Sequence, residues 1–352
     1  NIAGISSIAC AQYLPRSEEG LAVKIDRLQF EKILLDLAQE HYESGRSFAV
    51  RVHRVDKQFP MQSSEIETWL GEVIRKNTDW DRVRLASPDC IFHVDIYSDK
   101  IFFYADKTKG VGGLPVGSSG SVMALLSGGI DSPVASYLMA RRGCSVDWFH
   151  MSAVNVTKDS LGGSLPDRLA SQLSLYTLRS RLFIVPYTYF DLALRGNKQG
   201  HGPVLFRRFL FRTAQALARK LGAVSLVTGD SLSQVASQTI ENLIATDKAV
   251  EMPVLRPLIG LDKHEIVSIA RSIDTYKISI EPYKDCCALH TGRVRTKTRD
   301  VVLSLIEEEH LGSYDNLVAD SLNDMVWANY SFGQRLEQHI GLSRLSEKID
   351  IV

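Results

Sequence analysis

The residues best suited to chemistry in this chain lie in the stretch LLSGGIDSP, residues 125–133. Its two adjacent glycines allow a sharp turn and a close approach of the backbone to a ligand. Pro133 suits the first position of a helix that Asp131 or Ser132 caps. Backbone N–H groups at such a helix start, together with the helix dipole, favour phosphate or pyrophosphate. The alternative is an ordinary tight turn between a strand and a helix.

Two other loops carry polar residues where predicted strands end, FHMS at 149–152 and TGDSLSQVASQ at 228–238. Gly229 would allow a base or ribose to approach closely. Three side chains offer donors and acceptors from a helix start: Gln234, Ser237 and Gln238. Ligands of open parallel sheets bind beyond the carboxyl ends of the strands. The three loops together therefore predict a nucleotide site at that edge, although each alone is also explained as a polar surface loop.

A basic pair lies on the predicted helix 203–221, where Arg208 and Arg212 are one turn apart, away from an apolar stripe. Two guanidinium groups there would clamp phosphates; a solvated helix face is the alternative. Arg207 begins this helix near the predicted sheet edge. The Walker A pattern and GxGxxG are both absent, which argues against a P-loop kinase or GTPase.

Adjacent cysteines, Cys286 and Cys287, lie in EPYKDCCALH at 281–290. Cationic neighbours lower the pKa of a thiol and expose a reactive thiolate. The candidates nearby in sequence are Lys284, His290 and Arg293. The alternative is a buried structural pair. A zinc site is not indicated, because no second Cys or His pair has ligand spacing.

The elements that must position these residues fall into two parts. In the first, alternating patterns predict strands at 47–55, 90–97 and 100–106, the last two forming a hairpin. A helix begins at a capping box of Ser64 and Glu67. These elements form a small α/β unit. The stretch 109–121, rich in Gly, Pro and Ser, is a linker or an ordered inter-domain loop.

The second part alternates strands and helices, which predicts a parallel, doubly wound sheet. Asp262 and Glu265 form another capping box, and the chain from 293 onward is predicted to be largely helical. The predicted strands are 122–126, 145–150, 182–186, 224–228 and 254–258, and the helices are 133–142, 166–178, 203–221 and 234–245.

Composition indicates a folded protein of about two domains, with 352 residues and 45% hydrophobic content. Lys plus Arg equals Asp plus Glu, 41 each, so net charge favours neither a nucleic-acid nor a membrane partner. Five cysteines, an odd number, predict a reducing cytoplasm. No apolar run approaches the ~20 residues of a membrane span. The chain starts with Asn1 rather than Met, which predicts that an N-terminal portion is missing.

These residues resemble the motifs of the tRNA 4-thiouridine synthetase (tRNA sulfurtransferase) family. The similar segments are SGGIDSPVA at 127–135 (pyrophosphatase loop), GGLPVG at 112–117 (hinge), TGDSLSQVASQT at 228–239 (nucleotide loop), PVLRPLIGLDKHEI at 253–266 and ISIEPYKDCC at 278–287. The resemblance covers nearly the whole chain. It implies a THUMP RNA-binding domain at 1–108 with a remnant of a ferredoxin-like domain, a linker at 109–120, and a PP-loop ATP pyrophosphatase domain at 121–352.

The resemblance also implies the reaction and its partners. The family adenylates the carbonyl oxygen of a tRNA uridine with ATP, and sulfur then replaces that oxygen to give 4-thiouridine, with loss of AMP. Asp131 assists, through Mg²⁺, and Cys287 is the catalytic cysteine. The implied ATP site is Met123, Ala124, Ser127, Gly128, Gly129, Asp131, Ser132, Trp148, Phe149, Arg207, Gly229 and Gln238. We expect Arg51, Arg54 and Lys57 to bind the tRNA, a homodimer, and a cysteine desulfurase or sulfide as sulfur donor.

Three features depart from the family pattern. MSAVNVTKD at 151–159 replaces a proline-rich stretch, ALHTGRVRTKT at 288–298 lacks the usual proline, and the chain ends 65 residues after Cys287. That length is too short for a rhodanese domain as sulfur relay, which leaves the donor open. Two alternative functions are sulfur transfer to another acceptor, in thiazole (thiamine) biosynthesis or on another RNA base, and RNA binding without catalysis.

Overall fold

The computed structural model describes residues 2–16, 27–154, 157–194, 201–283, 286, 300–312, 314–342 and 345. The chain forms two compact units, Ser6–Gly110 and a larger one of Asn1–Ile5 with Val111–Val352. The first residues thus belong to the larger unit, where the Gly4 N–H donates to the Gly112 carbonyl at 2.9 Å. This differs from the predicted domain boundaries, which place them in the first domain.

The smaller unit is a five-stranded sheet of order β2-β6-β5-β3-β4 with a separate β1–β7 pair. Its strands are β1 (Ser7–Ile8), β2 (Gln12–Pro15), β3 (Ser47–Arg54), β4 (Arg82–Val83), β5 (Cys90–Ile96), β6 (Lys100–Ala105) and β7 (Thr108–Lys109); its helices are α1 (Arg27–Glu40) and α2 (Ser63–Asn77). Every second residue of β5 is buried, as its alternating sequence predicts. Phe30, Phe92 and Phe103 are fully buried in the core of this unit.

The capping residue of helix α2 lies two residues before the predicted one. Gln62 and Glu65 form the reciprocal cap instead of Ser64 and Glu67. The Glu67 carboxylate accepts a hydrogen bond from the Val52 N–H of β3 at 2.9 Å. Glu67, predicted to be part of the capping box, instead joins helix α2 to strand β3.

The larger unit is built on a seven-stranded sheet of order β12-β11-β8-β9-β10-β13-β14. Its strands are β8 (Ser121–Leu125), β9 (Ser145–Ser152), β10 (Arg179–Pro186), β11 (Ser225–Val227), β12 (Val254–Leu255), β13 (Val326–Ser331) and β14 (Gln334–Ile340). Its helices are α3 (Asp131–Arg141), α4 (Lys158–Leu161), α5 (Leu165–Thr177), α6 (Thr188–Ala193), α7 (Gly202–Lys220), α8 (Ile240–Asp247), α9 (Lys263–Ser272), α10 (Tyr276–Ser279), α11 (Asp300–His310) and α12 (Tyr314–Asn323), with a 3₁₀ turn at Ala236–Gln238. In the described part of the chain, no helix is both long and apolar enough to cross a membrane.

The five strands β8 to β12 are parallel, as predicted for a doubly wound sheet. Successive residues of β8 are buried in opposite layers, with Met123 on one face and Ala124 on the other. Strand β8 has β9 on one side and β11 on the other, so the strand order changes direction there. The carboxyl end of β8 is therefore the place where an open α/β sheet binds its ligand.

Among the described residues after 293, two strands follow the two helices, so this part is not largely helical as predicted. Helices α11 and α12 are followed by β13 and β14, which pair antiparallel at the sheet edge. Phe332 and Gly333 join the two strands with φ of 46° and 84°. Left-handed residues of this kind are typical of a tight hairpin turn, and only the glycine signalled it in the sequence.

The predicted linker is an ordered part of the larger unit. Leu114 N–H donates to the Arg141 carbonyl at 3.0 Å, and the N–H groups of Gly117 and Ser119 both donate to the Gly143 carbonyl at 2.9 Å. These bonds fix residues 114–119 to the end of α3. The segment leads directly into β8, so it fixes the start of the strand that carries the glycine loop.

Candidate active site

The glycine loop joins β8 to α3 and is closed by hydroxyl groups. Ser132 Oγ accepts from the Ser127 N–H at 2.8 Å and lies 3.0 Å from Ser127 Oγ. The Gly129 N–H donates to Ser127 Oγ at 3.3 Å. The predicted helix start is wrong: α3 begins at Asp131 rather than Pro133, and no side chain caps it. The Ser132 hydroxyl is used within the loop, which leaves the helix end suited to an anion.

The Asp131 carboxylate joins the loop to two other segments. Lys263 Nζ donates to one of its oxygens at 2.6 Å, and Gln234 Nε2 donates to the other at 2.9 Å. Lys263 is the first residue of α9, after the capping box that the sequence correctly predicts at Asp262. Lys263 was not predicted as a site residue, because its partner Asp131 lies far away along the chain. The pair brings a positive charge to the start of α3.

Gly229 allows a close approach between two backbone segments. A Cβ atom at Gly229 would lie 2.7 Å from the Ser132 nitrogen and 2.8 Å from the Asp131 carbonyl carbon. The loop after β11 therefore packs directly on the first turn of α3. The predicted contact between Gly229 and a nucleotide stays a prediction; the glycine itself is explained by helix packing.

Replacing Gly229 with Ala is expected to lower the free energy of unfolding by about 1–3 kcal/mol, because overpacked sites force backbone shifts. ATP affinity should fall as well, since the start of α3 has to move. Chemical denaturation and ATP titration measure the two effects. Gly260→Ala is the matched control, because nothing lies within 4 Å of a Cβ there. Equal stability of the two variants would contradict the packing explanation.

Asp230 accepts hydrogen bonds from two of the residues predicted to bind ATP, Arg207 and Gln238. Arg207 Nη2 donates to both of its oxygens, at 2.9 and 2.7 Å, and Gln238 Nε2 donates at 3.1 Å. Thr228 Oγ and Arg256 Nε also donate to it, at 2.8 and 3.2 Å. Burial is the largest single influence and raises the pKa of this carboxyl, but the charges of Arg207 and Arg256 and the hydrogen bonds from Arg207 and Thr228 together hold the pKa below its usual value. Arg256 was not predicted from the sequence.

Arg208 and Arg212 do not form a phosphate clamp. Arg208 is 1% exposed; its Nε and Nη2 donate to Glu307 at 2.7 and 3.0 Å, and its Nη1 donates to Asp300 at 2.7 Å. Arg212 donates to Glu307 at 3.3 Å, and its guanidinium carbon lies 4.1 Å from the centroid of the Tyr314 ring. Helices α8 and α11 cover the face that the sequence pattern left to solvent. These cations hold helices together.

Four predicted ATP ligands lie inside the sheet. Met123 and Ala124 of β8, and Trp148 and Phe149 of β9, are at most 1% exposed. Their side chains fill the two cores on either side of the sheet. Contact between these four residues and ATP stays a prediction. Phe149 reaches nearest to the loop, because it lines a cavity of about 50 Å³ beside Ser127.

The segment that leads to the cysteine pair lies beside the glycine loop. A Cβ atom at Gly128 would lie 2.5 Å from Cδ1 of Tyr283, so this ring contacts the loop backbone. The Tyr283 hydroxyl lies 2.7 Å from Nε2 of the buried His150. His150 lies in the predicted loop 149–152, whereas Tyr283 was not singled out as a site residue. The contacts place residue 283 at the carboxyl ends of β8 and β9.

Cys286 is the structural member of the cysteine pair. It is fully buried, and its thiol donates to the Met151 carbonyl at 3.1 Å. Cys287 lies outside the described residues, as do the three cations predicted to activate it, Lys284, His290 and Arg293. A reactive Cys287 therefore stays a prediction, whereas the structure gives Cys286 a different role.

In the smaller unit, the three predicted RNA-binding cations differ in exposure. Arg51 donates to backbone carbonyls, one of them in a neighbouring loop. Arg54 donates to the carbonyls of Phe59 and Met61, at 3.0 and 2.7 Å, and so shapes the loop after β3. Lys57 is exposed. Of these three, Lys57 is the cation best placed for a phosphate from outside.

Comparison with known proteins gives two matches to family models. Residues 117–310, more than half of the chain, match the model described as thiamine biosynthesis protein (ThiI). Residues 29–106 match the THUMP domain. The two models match the larger and the smaller unit, respectively.

Similar proteins extend over most of the chain. A protein of Clostridium botulinum named "Probable tRNA sulfurtransferase" is 36% identical over 329 residues, 92% of this chain and 82% of that protein. Another of the same name, from Caldanaerobacter subterraneus, is 37% identical over 295 residues, 84% of this chain and 76% of that protein. A crystal structure of a 4-thiouridine synthetase–RNA complex with bound ATP has a TM-score of 0.79 and 29% identity, covering 92% of this chain and 83% of that one. The chain therefore belongs to the ThiI family, together with proteins named as tRNA sulfurtransferases.

Proposed function

We propose that this chain, an ATP-dependent tRNA sulfurtransferase that forms 4-thiouridine, carries out its reaction at the carboxyl end of β8. The activity is supported by the family and by the similar RNA- and ATP-bound synthetase. The location rests on one observation. The Asp131 carboxylate connects the glycine loop to Gln234 of the second loop and to Lys263 of α9, at the uncapped start of α3.

This arrangement suits the first half of the reaction. The carbonyl oxygen of a tRNA uridine attacks the α-phosphorus of ATP, the bond to the β-phosphate oxygen breaks, and pyrophosphate leaves. Negative charge develops on the phosphates, and the helix N–H groups with the Lys263 ammonium stabilise it. The oxygen becomes part of a phosphate ester and so becomes a better leaving group. In the second half, sulfur attacks the uridine carbon that carries the activated oxygen, and AMP leaves with that oxygen.

Magnesium does not fit Asp131 as the side chains are arranged. Mg²⁺ is usually bound by one or two carboxylates together with substrate phosphates. Both oxygens of Asp131 already accept hydrogen bonds, one from an ammonium at 2.6 Å, which excludes a divalent cation from that oxygen. No group of three or more His, Cys, Asp and Glu in the described ranges could hold a metal. Magnesium stays a prediction from the resemblance, and no step above depends on it.

Cys287 handles the sulfur in this proposal. A cysteine desulfurase loads a persulfide on the Cys287 thiol, and the outer sulfur attacks the activated carbon as AMP leaves, which joins Cys287 to the base through an S–S bond. A second thiol then attacks the Cys287 sulfur; the S–S bond breaks, the thiolated uridine is released, and the disulfide that forms between the two thiols is reduced by an external thiol. Alternatively, Cys287 assists attack by sulfide itself, which needs no reductant. Thiolates are the reactive form in both cases. The homodimer implied by the family resemblance remains part of the proposal.

The test is whether ATP is split to AMP and pyrophosphate only when tRNA is present. The proposal expects tRNA-dependent splitting that Lys263→Gln reduces, because that variant removes the positive charge beside the loop. RNA binding without catalysis predicts no splitting under either condition. Sulfur transfer to a small-molecule acceptor predicts splitting that tRNA does not stimulate.

For tRNA binding, Lys57→Ala is expected to weaken affinity and to reduce the slope of log affinity against log salt by about one, as for one lost phosphate contact. Filter binding at several salt concentrations measures both. Lys76→Ala is the control, since Lys76 is already paired with Glu72 at 2.8 Å. If the salt dependence of tRNA affinity is unchanged in Lys57→Ala, Lys57 does not contact an RNA phosphate. Arg54→Ala should also loosen the loop after β3, so it is a poorer test.

A further inference from the structure

The end of strand β9 forms hydrogen bonds with Tyr283, which precedes the cysteine pair, and with Cys286, the first cysteine of the pair. His150 and Met151 are consecutive residues of this strand. The ring of His150 binds the Tyr283 hydroxyl at 2.7 Å, and the carbonyl of Met151 accepts from the Cys286 thiol at 3.1 Å. His150 and Cys286 are both at most 1% exposed. The Cys286–Met151 bond is buried and the His150–Tyr283 bond is partly buried, so competition from water is reduced and the two bonds hold the segment at the end of β9.

The hydrogen bonds of His150 connect this segment to the glycine loop. Its Nδ1 lies 2.8 Å from the carbonyl of Leu126, the residue just before Ser127. A carbonyl only accepts, so Nδ1 carries the proton, and in the neutral ring Nε2 is an acceptor. The Tyr283 hydroxyl is then the donor to Nε2. The result is a continuous chain of hydrogen bonds from the loop through His150 to Tyr283.

The Tyr283 ring adds a second contact with the same loop. It lies so close to Gly128 that a Cβ atom there would meet ring carbons at 2.5 and 3.2 Å. A Gly128→Val substitution would therefore displace Tyr283 as well as fill space at the loop, so a loss of ATP binding in that variant would not report on phosphate binding alone.

We propose that His150 and Tyr283 are positioning residues for the sulfur-transfer half of the reaction. They hold the segment that carries the cysteine pair against the glycine loop, where the adenylated uridine forms. This inference rests on the proposed function of Cys287. Cys287 follows Cys286 directly, and one peptide unit limits the distance between their Cα atoms to about 3.8 Å. A fixed Cys286 and Tyr283 therefore restrict the reach of the sulfur-handling residue.

The two half-reactions make different demands on this arrangement. Adenylation needs ATP and the uridine at the loop, whereas sulfur transfer also needs the cysteine segment within about 3–3.5 Å of the reacting carbon. Loss of the Tyr283 hydroxyl should therefore lower the second rate selectively. A displacement of about 1 Å lowers a rate by up to about 100-fold.

The test compares Tyr283→Phe with the wild-type protein in single-turnover assays. We expect thiolation to slow by about 10–100-fold, with unchanged tRNA-dependent AMP formation and unchanged KM for ATP. Tyr276→Phe is the matched control: this tyrosine belongs to the same unit, and its ring packs on Arg271.

Wild-type thiolation by Tyr283→Phe would overturn the inference. Equal losses of AMP formation and thiolation would overturn it too, because they would assign the tyrosine to nucleotide binding. Cys287→Ser measured in parallel separates this inference from the proposed function. If Cys287→Ser is inactive while Tyr283→Phe is normal, only the positioning role fails. If Cys287→Ser thiolates normally, the proposed role of the cysteine fails first.

Discussion

Replacing Cys287 with Ser is expected to abolish thiolation of tRNA while tRNA-dependent AMP formation continues. Serine keeps the size of the side chain but cannot carry a persulfide or form a thiolate, so sulfur has no carrier. The expected loss is about 10³-fold or more, the scale at which removal of a covalent nucleophile lowers a rate. Adenylation uses the glycine loop and Lys263, and neither is changed.

Cys286→Ser is the natural control for this experiment. Its thiol is buried and donates to the Met151 carbonyl, a bond that a serine hydroxyl also makes. We expect that variant to retain thiolation, at a rate lowered only as far as the shorter side chain shifts the segment. Full thiolation by Cys287→Ser would reduce Cys287 to a structural residue. If Cys286→Ser loses thiolation while Cys287→Ser retains it, Cys286 is the sulfur-handling residue and the proposed assignment is wrong.

Glu307→Gln is expected to lower the free energy of unfolding by about 3–5 kcal/mol, the effect of breaking one partner of a buried ion pair. The Glu307 side chain is 5% exposed and binds Arg208, which is 2% exposed. Its oxygens also accept from Arg212 and from the Tyr314 hydroxyl. Glutamine removes the charge and replaces one acceptor with a donor facing the guanidinium of Arg208. The buried cation is then left with Asp300 alone as a charged partner among these residues.

The control for this variant is Glu251→Gln, at a pair on the surface. Arg219 and Glu251 are bonded to each other, but their side chains are 53% and 83% exposed. Such pairs contribute about 0–1 kcal/mol. Urea denaturation of both variants measures the difference. If Glu307→Gln and Glu251→Gln cost the same, the buried cluster does not hold α11 to α7 as the contacts indicate.

Local patterns in the sequence were sufficient to predict most of the strands and helices. The alternation in β5 and the capping box at Asp262 depend on neighbouring residues only, and both are confirmed. The rule that ligands bind where strand order changes direction led to the loop after β8. This expectation needed no side-chain partner, only the order of strands and helices.

Side-chain partners distant in sequence account for the errors. Arg208 was predicted to face phosphate because helix periodicity cannot show that α8 and α11 pack over the same face. Lys263 and Asp131 are 132 positions apart, and nothing local marks the lysine as a site residue. Ser132 was expected to cap α3, but a hydroxyl has several nearby choices and here binds within the loop.

The most direct test of the central claim is nucleoside analysis of tRNA after incubation with this protein, ATP and a sulfide source. Mass spectrometry should detect a uridine in which sulfur has replaced the carbonyl oxygen, formed only when ATP is present. AMP should be released in equal amount. Thiolated uridine without ATP, or ATP split to AMP with tRNA left unmodified, would contradict ATP-dependent sulfur transfer to tRNA by this chain.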